Sequence, residues 1–439
     1  MKASKFNVFF VHEDYNICFN TFSKEYMILD EMLFEMYDAS FKRSDFQELL
    51  EVHPDFYHQL ADKHFIVDNI LDEVALVKEL SHKIDHDDTR FELHINPTMN
   101  CNFKCWYCYE THIKDSKMDE ATISNIKQLV GDIFDKKAEL RDFHLSFFGG
   151  EPLLYFSKVM VPILKFIHEL ASLKKINFNA GMTTNGLLIN QEVIDNCKKY
   201  GLDFFQITLD GTKEKHDKVR FISEGKGSYD RIVSNMLELA RNQLNVLVRI
   251  NVAVETLEGL REIPNDFMSL DPDAKKYITF SLHKVWQVKE DIDSDIQEVR
   301  RHIRKQGFNV ISGTQDSVIE SCYGDHKNHA TINYNGEVFK CTARDFTNSN
   351  SEGKLDEQGV ISWNAKLDKR LKSKFKNKPC LECRILPMCG GGCSQQAIEH
   401  EGIDYCVFDF DENKKVQVIK NKFIEILEDF EEAQVSKAI

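Results

Sequence analysis

The chain lacks any run of about 18 apolar residues, the least that crosses a bilayer as a helix, so no membrane partner is expected. Its first residues, MKASKFNVFFVHEDYN, hold neither a long apolar stretch nor a small-residue cleavage site. No secretory signal is therefore expected, and the sequence reads as cytoplasmic. A positive surplus is missing too: 56 Lys and Arg stand against 71 Asp and Glu, a formal charge of −15. Nucleic-acid binders neutralise phosphates with Lys and Arg, so no nucleic-acid partner is expected. Internal repeats and low-complexity tracts are absent as well. What remains is 439 residues, 42% hydrophobic and 29% charged, the composition of a globular protein of about two to three domains.

What is there in excess is cysteine, 12 residues in a chain without an export signal. In a reducing compartment clustered thiols point to metal or redox chemistry rather than to a disulfide frame. Cys18 and Cys197 stand alone and read as small buried hydrophobes. The other ten fall into two groups. The first is Cys101, Cys105 and Cys108, in CNFKCWYCYE (101–110). Three is one short of a structural zinc site and one more than a disulfide needs. A zinc knuckle would have to recruit a fourth ligand, with His112 the nearest candidate. The second group is Cys322, Cys341, Cys380, Cys383, Cys389, Cys393 and Cys406.

Periodicity divides the chain into four segments, 1–88, 89–310, 311–410 and 411–439. The first opens with short β-rich runs at 6–13, 16–22 and 25–30. Helical stretches follow at 30–39, 44–52 with Ser44 as N-cap, and 54–67, an order that suggests a winged-helix-like module. From 89 to 310, strands at 91–96, 142–148, 176–183, 203–210, 246–255 and 277–286 alternate with helices at 119–137, 157–173 and 228–243. Six such repeats predict an α/β fold with a parallel sheet, open or closed into a partial barrel. Residues 320–410 lack long apolar runs and read as a segment held by metal, and a charged amphipathic helix runs from Glu412 to Ile439.

The chemistry-bearing residues all follow strands, where ligands of parallel α/β sheets gather. The Cys101/Cys105/Cys108 loop follows the first strand. Gly149, Gly150 and Glu151 follow the second, and Thr183, Thr184 and Asn185 end the third. Thr208 and Asp210 end the fourth, with His216, Asp217 and Arg220 just beyond. Asn251 lies on the fifth, and the sixth ends at Trp286 and Gln287.

CxxxCxxC with an aromatic, Tyr107, before its last cysteine resembles the signature of the radical S-adenosylmethionine (radical SAM) superfamily. That resemblance implies a partial (β/α)6 barrel and a [4Fe–4S] cluster on Cys101, Cys105 and Cys108, with the fourth iron left to S-adenosylmethionine. Gly149, Gly150 and Glu151 resemble the family's GGE motif, which meets the methionyl amino group. Thr183, Thr184 and Asn185 resemble the set that meets ribose and carboxylate, and Thr208, Asp210, Arg220, Asn251 and Gln287 extend it. Tyr109 and Glu110 after the loop are frequent in peptide-modifying members.

The seven later cysteines, with GxxxxC at 336–341 and CxxCxxxxxCxxxC at 380–393, resemble a SPASM domain. This implies two auxiliary [4Fe–4S] clusters, three clusters in all. Cys380, Cys383, Cys389 and Cys406 would hold one. Cys322, Cys341 and Cys393 would hold the other, with a fourth position open to His326, His329, an exogenous group or substrate. Anaerobic sulfatase maturases carry an eighth cysteine here, which this chain lacks.

A radical SAM–SPASM core after a small strand-and-helix module resembles maturases of ribosomally made peptides. The resemblance implies capture of a precursor's leader by strand addition, with 6–13 and 16–22 as the surface, and an electron donor such as flavodoxin or ferredoxin. The implied reaction is hydrogen abstraction from the peptide by a 5′-deoxyadenosyl radical, then a thioether or carbon–carbon crosslink. Asp210, His216, Asp217, Glu290 and Asp291 are the candidate proton acceptors. The alternatives are formylglycine formation and a non-catalytic, cluster-bearing leader-binding partner.

Overall fold

The structure is a computed structural model that describes residues 1–285, 287–311 and 318–438; Trp286, named above at a strand end, lies outside the described residues. Packing divides the chain into two compact units, which chain order does not follow. One comprises Asp87–Thr314 and Lys327–Leu367. The other comprises Met1–His86, Gln315–His326 and Asp368–Ile439.

The first unit is built on six parallel strands, Arg90–Ile95, Asp142–Phe147, Asn177–Thr184, Leu202–Leu209, Asn245–Val252 and Ile278–Lys284, paired in chain order. Asn309–Ile311 adds a short parallel strand beyond the sixth. His329–Ile332 adds another on the far side of the first, pairing His329 with Glu92 and Ile332 with Ile95. Three short antiparallel strands continue outward from it, and the sheet stays open.

One face of each strand supplies the core. Leu93, Leu145, Phe205, Ile207, Val248, Ile250 and Phe280 are fully buried under the helices, each worth about 1.5–3 kcal/mol on burial. Helix Glu120–Lys136 starts where the Asp119 carboxylate accepts the Thr122 N–H (2.7 Å), and helix Gln191–Lys199 where Asn190 accepts from Val193 (3.0 Å). The alternate residues line the other face, and most are polar. Register places Glu92 beside His144, His94 beside Ser146, and Arg249 between Thr208 and Ser281; Asn251 lies beside His283. The fifth strand stops earlier than the alternation predicts. There the Thr256 side chain accepts the Ala253 N–H (2.8 Å) and turns the chain into a helical turn.

In the second unit strands Asn7–His12, Tyr15–Asn20 and Tyr26–Leu29 form an antiparallel meander. Its first turn uses Glu13 and Asp14, both left-handed (φ 48° and 67°), as a two-residue hairpin requires. Helices Glu31–Arg43, Gln47–Val52, Pro54–Asp62 and Glu73–Asp85 follow. Ser44 does not cap the second of these. It closes the first in a left-handed conformation (φ 54°), because helix Glu31–Arg43 runs on four residues past the expected end.

Both faces of this small sheet are covered. Cys18, Met27 and Leu29 pack on Tyr37, Phe46, Leu49 and Phe56. Val8, Phe10, Ile17 and Phe19 pack on Ile385 and Met388 from the cysteine-rich segment and on Ile419 and Phe423 from helix Glu412–Ala438. The cysteine-rich segment thus shares the N-terminal sheet's core. Cys18 and Cys197 are fully buried, as their isolation suggested. Among the described residues no helix is long and apolar enough to cross a membrane.

Candidate active site

The cysteine loop hangs from the carboxyl end of strand Arg90–Ile95 and is pinned before it begins. The Thr98 hydroxyl donates to the Ser116 carbonyl (2.6 Å), the Ser116 hydroxyl accepts the Met99 N–H (2.9 Å), and Phe103 is buried in the barrel core. Burial pushes the Cys101 thiol up to about 12 and the Cys108 thiol to about 11, and raises Cys105 as well. Without metal these thiols are protonated at neutral pH, so loading a metal group releases their protons.

The glycine loop lies directly against this segment. Gly149 and Gly150 are left-handed (φ 77° and 49°), and a Cβ on Gly150 would stand 2.3 Å from the Asn100 carbonyl oxygen. A Cβ on Gly149 would stand 2.6 Å from Asn96 Cγ. The Gly150 N–H donates to the Glu110 carboxylate (2.7 Å), and the Glu151 N–H to the Asn100 carbonyl (2.8 Å). Burial raises Glu110 to about 7. Beneath the glycines, fully buried Asn96 leaves both side-chain amide atoms without a partner, a polar position laid out for a guest.

Glu151 is fully buried and held by the end of the third strand. It accepts from the Thr184 hydroxyl (2.7 Å), Asn185 N–H (2.8 Å) and Leu153 N–H (3.0 Å). Burial nonetheless raises its carboxyl above the ordinary value. The Asn185 amide reaches back to Asn102 in the cysteine loop (2.7 Å), and the Thr183 hydroxyl accepts from Gln206 (3.3 Å).

The fourth strand brings Asp210 into a closed triangle. Arg220 Nε donates to it at 2.7 Å, the Tyr107 hydroxyl at 2.6 Å, and Arg220 Nη2 bonds the Tyr107 oxygen at 2.8 Å. Burial alone would lower the Arg220 pKa, but the Asp210 charge outweighs it and drives it up. Asn251 sits 3.4 Å from Asp210, and Gln287 Nε2 lies 3.5 Å from the Tyr107 carbonyl.

The other proton-acceptor candidates are placed differently. His216 is fully buried, accepts the Asp210 N–H (3.2 Å) and bonds Ser228 (3.0 Å); burial lowers it to about 4. Asp217 accepts the Ser228 and Tyr229 N–H groups (2.8 and 2.9 Å) and starts helix Tyr229–Arg241. Glu290 and Asp291 are exposed beyond the sixth strand. Asp210, His216 and Asp217 thus hold backbone and partner in place, which residue type alone does not reveal.

The contacts of Glu110, Arg249, Tyr109, Thr111 and Asp345 escaped sequence reasoning. Glu110 was noted only as a neighbour of the loop. Arg249 belongs to the polar face and donates to the Asn251 side chain (3.2 Å); alternation from Asn251 would have found it. Tyr109 donates to the Thr342 carbonyl (2.7 Å), and Thr111 bonds Asp345 twice (2.8 and 2.6 Å), tying the segment beside Cys341 to the cysteine loop. No local pattern announces that pairing.

In the other unit Cys380, Cys383, Cys389 and Cys406 line one recess, together with Tyr405, Phe408 and Lys415. Gly390, Gly391 and Gly392, all left-handed (φ 66°, 86° and 86°), curl the chain around it. Cys322 and Cys393 are exposed in this unit, and Cys341 belongs to the barrel unit. Among the described residues no three Cys, His, Asp or Glu converge as ligands of a single ion. His112 Nε2, the candidate fourth zinc ligand, lies 3.6 Å from Cys108 Sγ. A cubane spreads its thiolates over separate irons and fits a loop whose thiols, glycine cradle and orphaned amide face one strand edge.

A strand-end cysteine loop over an open parallel barrel defines a class, and residues 95–274 match the family model of the radical SAM superfamily. Residues 95–274 thus form a radical SAM domain. The chain is 27% identical to Fe-coproporphyrin III synthase of Methanosarcina barkeri over 61% of this chain and 65% of that one, less than two thirds of the relative's length. It is 21% identical to the radical SAM cyclopropyl synthase TigE of Paramaledivibacter caminithermalis over 77% and 76% of the two chains. The fold is shared with Streptococcus suis SuiB bound to its precursor peptide SuiA (TM-score 0.55, 18% identity, covering 92% and 98%).

Proposed function

We propose that this protein is a radical SAM maturase of a ribosomally made precursor peptide, introducing a thioether or carbon–carbon crosslink. The observation that carries the reading is a single hydrogen-bonded assembly at one strand edge. Within it Glu110 and Asn100 fasten the glycine loop to the cysteine loop, and Glu151 and Asn185 fasten both to the third strand. The names of its relatives point the same way, since TigE is a cyclopropyl synthase and SuiB was solved with a precursor peptide.

Cys101, Cys105 and Cys108 would hold the [4Fe–4S] cluster. Gly149, Gly150, Glu151, Thr183, Thr184, Asn185, Thr208 and Arg220 would hold S-adenosylmethionine. When bound, the pair supplies a 5′-deoxyadenosyl radical by reductive cleavage, with flavodoxin or ferredoxin as donor. The protein's own work is alignment and exclusion of water. Tyr107 is fixed by Asp210 and Arg220, so the aromatic beside Cys108 cannot swing. The polar barrel face offers Gln206, Arg249, Ser281 and His283 to a peptide backbone or side chain. Cys380, Cys383, Cys389 and Cys406 would hold one auxiliary cluster.

The N-terminal sheet would take the leader by strand addition. Strand Tyr15–Asn20 is paired on both sides, so it cannot accept another strand. Asn7–His12 and Tyr26–Leu29 are the two edges, and Asn7–His12 is retained as the surface.

Anaerobic co-expression with the precursor tests the reading. A product lighter by two hydrogens, with 5′-deoxyadenosine released, is expected. Protein that binds zinc but no iron, or that releases no 5′-deoxyadenosine with the precursor and reductant, would refute it.

A further inference from the structure

Two polar side chains bear on the recess lined by Cys380, Cys383, Cys389 and Cys406: Lys415 within its lining, and Asn377 through the Cys380 sulfur. Lys415, on the first turn of helix Glu412–Ala438, lines the recess and is only 8% exposed. Asn377 donates one side-chain N–H to Cys380 Sγ (3.0 Å). Its other bonds run to the Tyr405 backbone, donating to the carbonyl (2.6 Å) and accepting the N–H (3.3 Å). Asn377 therefore spans the two segments that carry Cys380 and Cys406.

The Lys415 ammonium does have a carboxylate, Glu412, at 2.6 Å, but the two are not equally immersed. The Glu412 side chain is 75% exposed and the Lys415 side chain 10%. Water and salt screen the carboxylate, while the ammonium faces the recess across little solvent. Of the two charges, the Lys415 ammonium is the less screened toward the recess.

We infer that Lys415 and Asn377 raise the reduction potential of an iron–sulfur cluster held by the four cysteines, making the recess an electron-accepting site. The inference rests on the proposed auxiliary cluster. A cubane on four thiolates gains one negative charge when reduced, so a fixed cation and an N–H···S bond favour its reduced form. Neither residue ligates iron, and both act through the sulfurs.

The test uses the full chain, reconstituted anaerobically, with dye-mediated redox titration followed by electron paramagnetic resonance. Cys380→Ala identifies the signal that belongs to this recess. Lys415→Met should move that signal's midpoint to a lower potential at unchanged iron content, and Lys415→Arg should restore most of the shift. Lys414→Met, at an exposed neighbour that pairs with Asp409, should leave it in place. A Lys415→Met midpoint equal to the wild type, with equal iron, overturns the inference. Iron content unchanged by Cys380→Ala together with Cys389→Ala would instead overturn the cluster assignment beneath it.

Discussion

Arg220 and Asp210 form an ion pair at 2.7 Å with their side chains 10% and 3% exposed, bonded on both members to the Tyr107 hydroxyl. So buried a pair adds little net stability, yet removing one partner strands the other charge. Asp210→Asn is expected to cost about 3–5 kcal/mol in chemical denaturation. Asp210→Asn combined with Arg220→Met should recover most of that loss without recovering S-adenosylmethionine binding, read by calorimetry. Equal stability of single and double variants would refute the argument.

The glycine loop makes a sharper steric prediction. A left-handed non-glycine residue costs about 1–2 kcal/mol, and Gly225, also left-handed (φ 71°) with nothing within 4 Å of an added Cβ, should show that cost alone when changed to Ala. Gly150→Ala adds a Cβ 2.3 Å from the Asn100 carbonyl oxygen. It should displace the cysteine loop, with thermal stability falling further than in Gly225→Ala and iron per chain dropping after reconstitution.

Local patterns carried much of this. Alternating runs located all six barrel strands because each pleat has one apolar and one polar side, as Leu93 and His94 illustrate. The CxxxCxxC and GGE segments marked the strand edge because few other uses need thiols or adjacent glycines there. Non-local pairing left no trace in the sequence. His329–Ile332 joins the sheet beside Glu92 from more than two hundred residues away, and Phe10 meets Phe423 across nearly the whole chain. Ser44 misled for a different reason: a residue that can cap a helix start also tolerates a left-handed helix end, and chain context decides. His216 looked like a base because a sequence shows imidazoles and not their partners.

Two buried histidines and one half-buried one set the acid limit. Burial lowers His94, His216 and His283 to about 4 in the folded protein. In the unfolded chain they titrate near the ordinary value of about 6.5. Between those values the unfolded chain binds more protons, so stability rises with pH across that window and is complete above it. Unfolding free energies measured from pH 4 to 7 should climb by up to about 1.4 kcal/mol per pH unit for each histidine. His283→Gln should flatten the climb by one histidine's share. A profile identical to wild type would show that folding does not move His283 from its ordinary value.

Arg249 tests function against stability. Its guanidinium lies on the polar barrel face between Thr208 and Ser281, with Asn251 as hydrogen-bond acceptor and no ion pair among the described residues. Burial lowers its pKa, and no carboxylate is among the groups acting on it. A desolvated cation without an anion costs the fold, so Arg249→Met is expected to leave stability unchanged or raise it by about 1–2 kcal/mol. Peptide modification should fall at least tenfold in the same variant if the barrel face orients a polar peptide, because the cation is then kept for the guest. S-adenosylmethionine affinity should change little, since Arg220 and Glu151 lie on other strands' ends. Loss of stability with modification intact would mean that Arg249 serves packing, through the stem it lays along the fifth strand. Loss of S-adenosylmethionine binding would move the residue from the peptide's side of the site to the cofactor's.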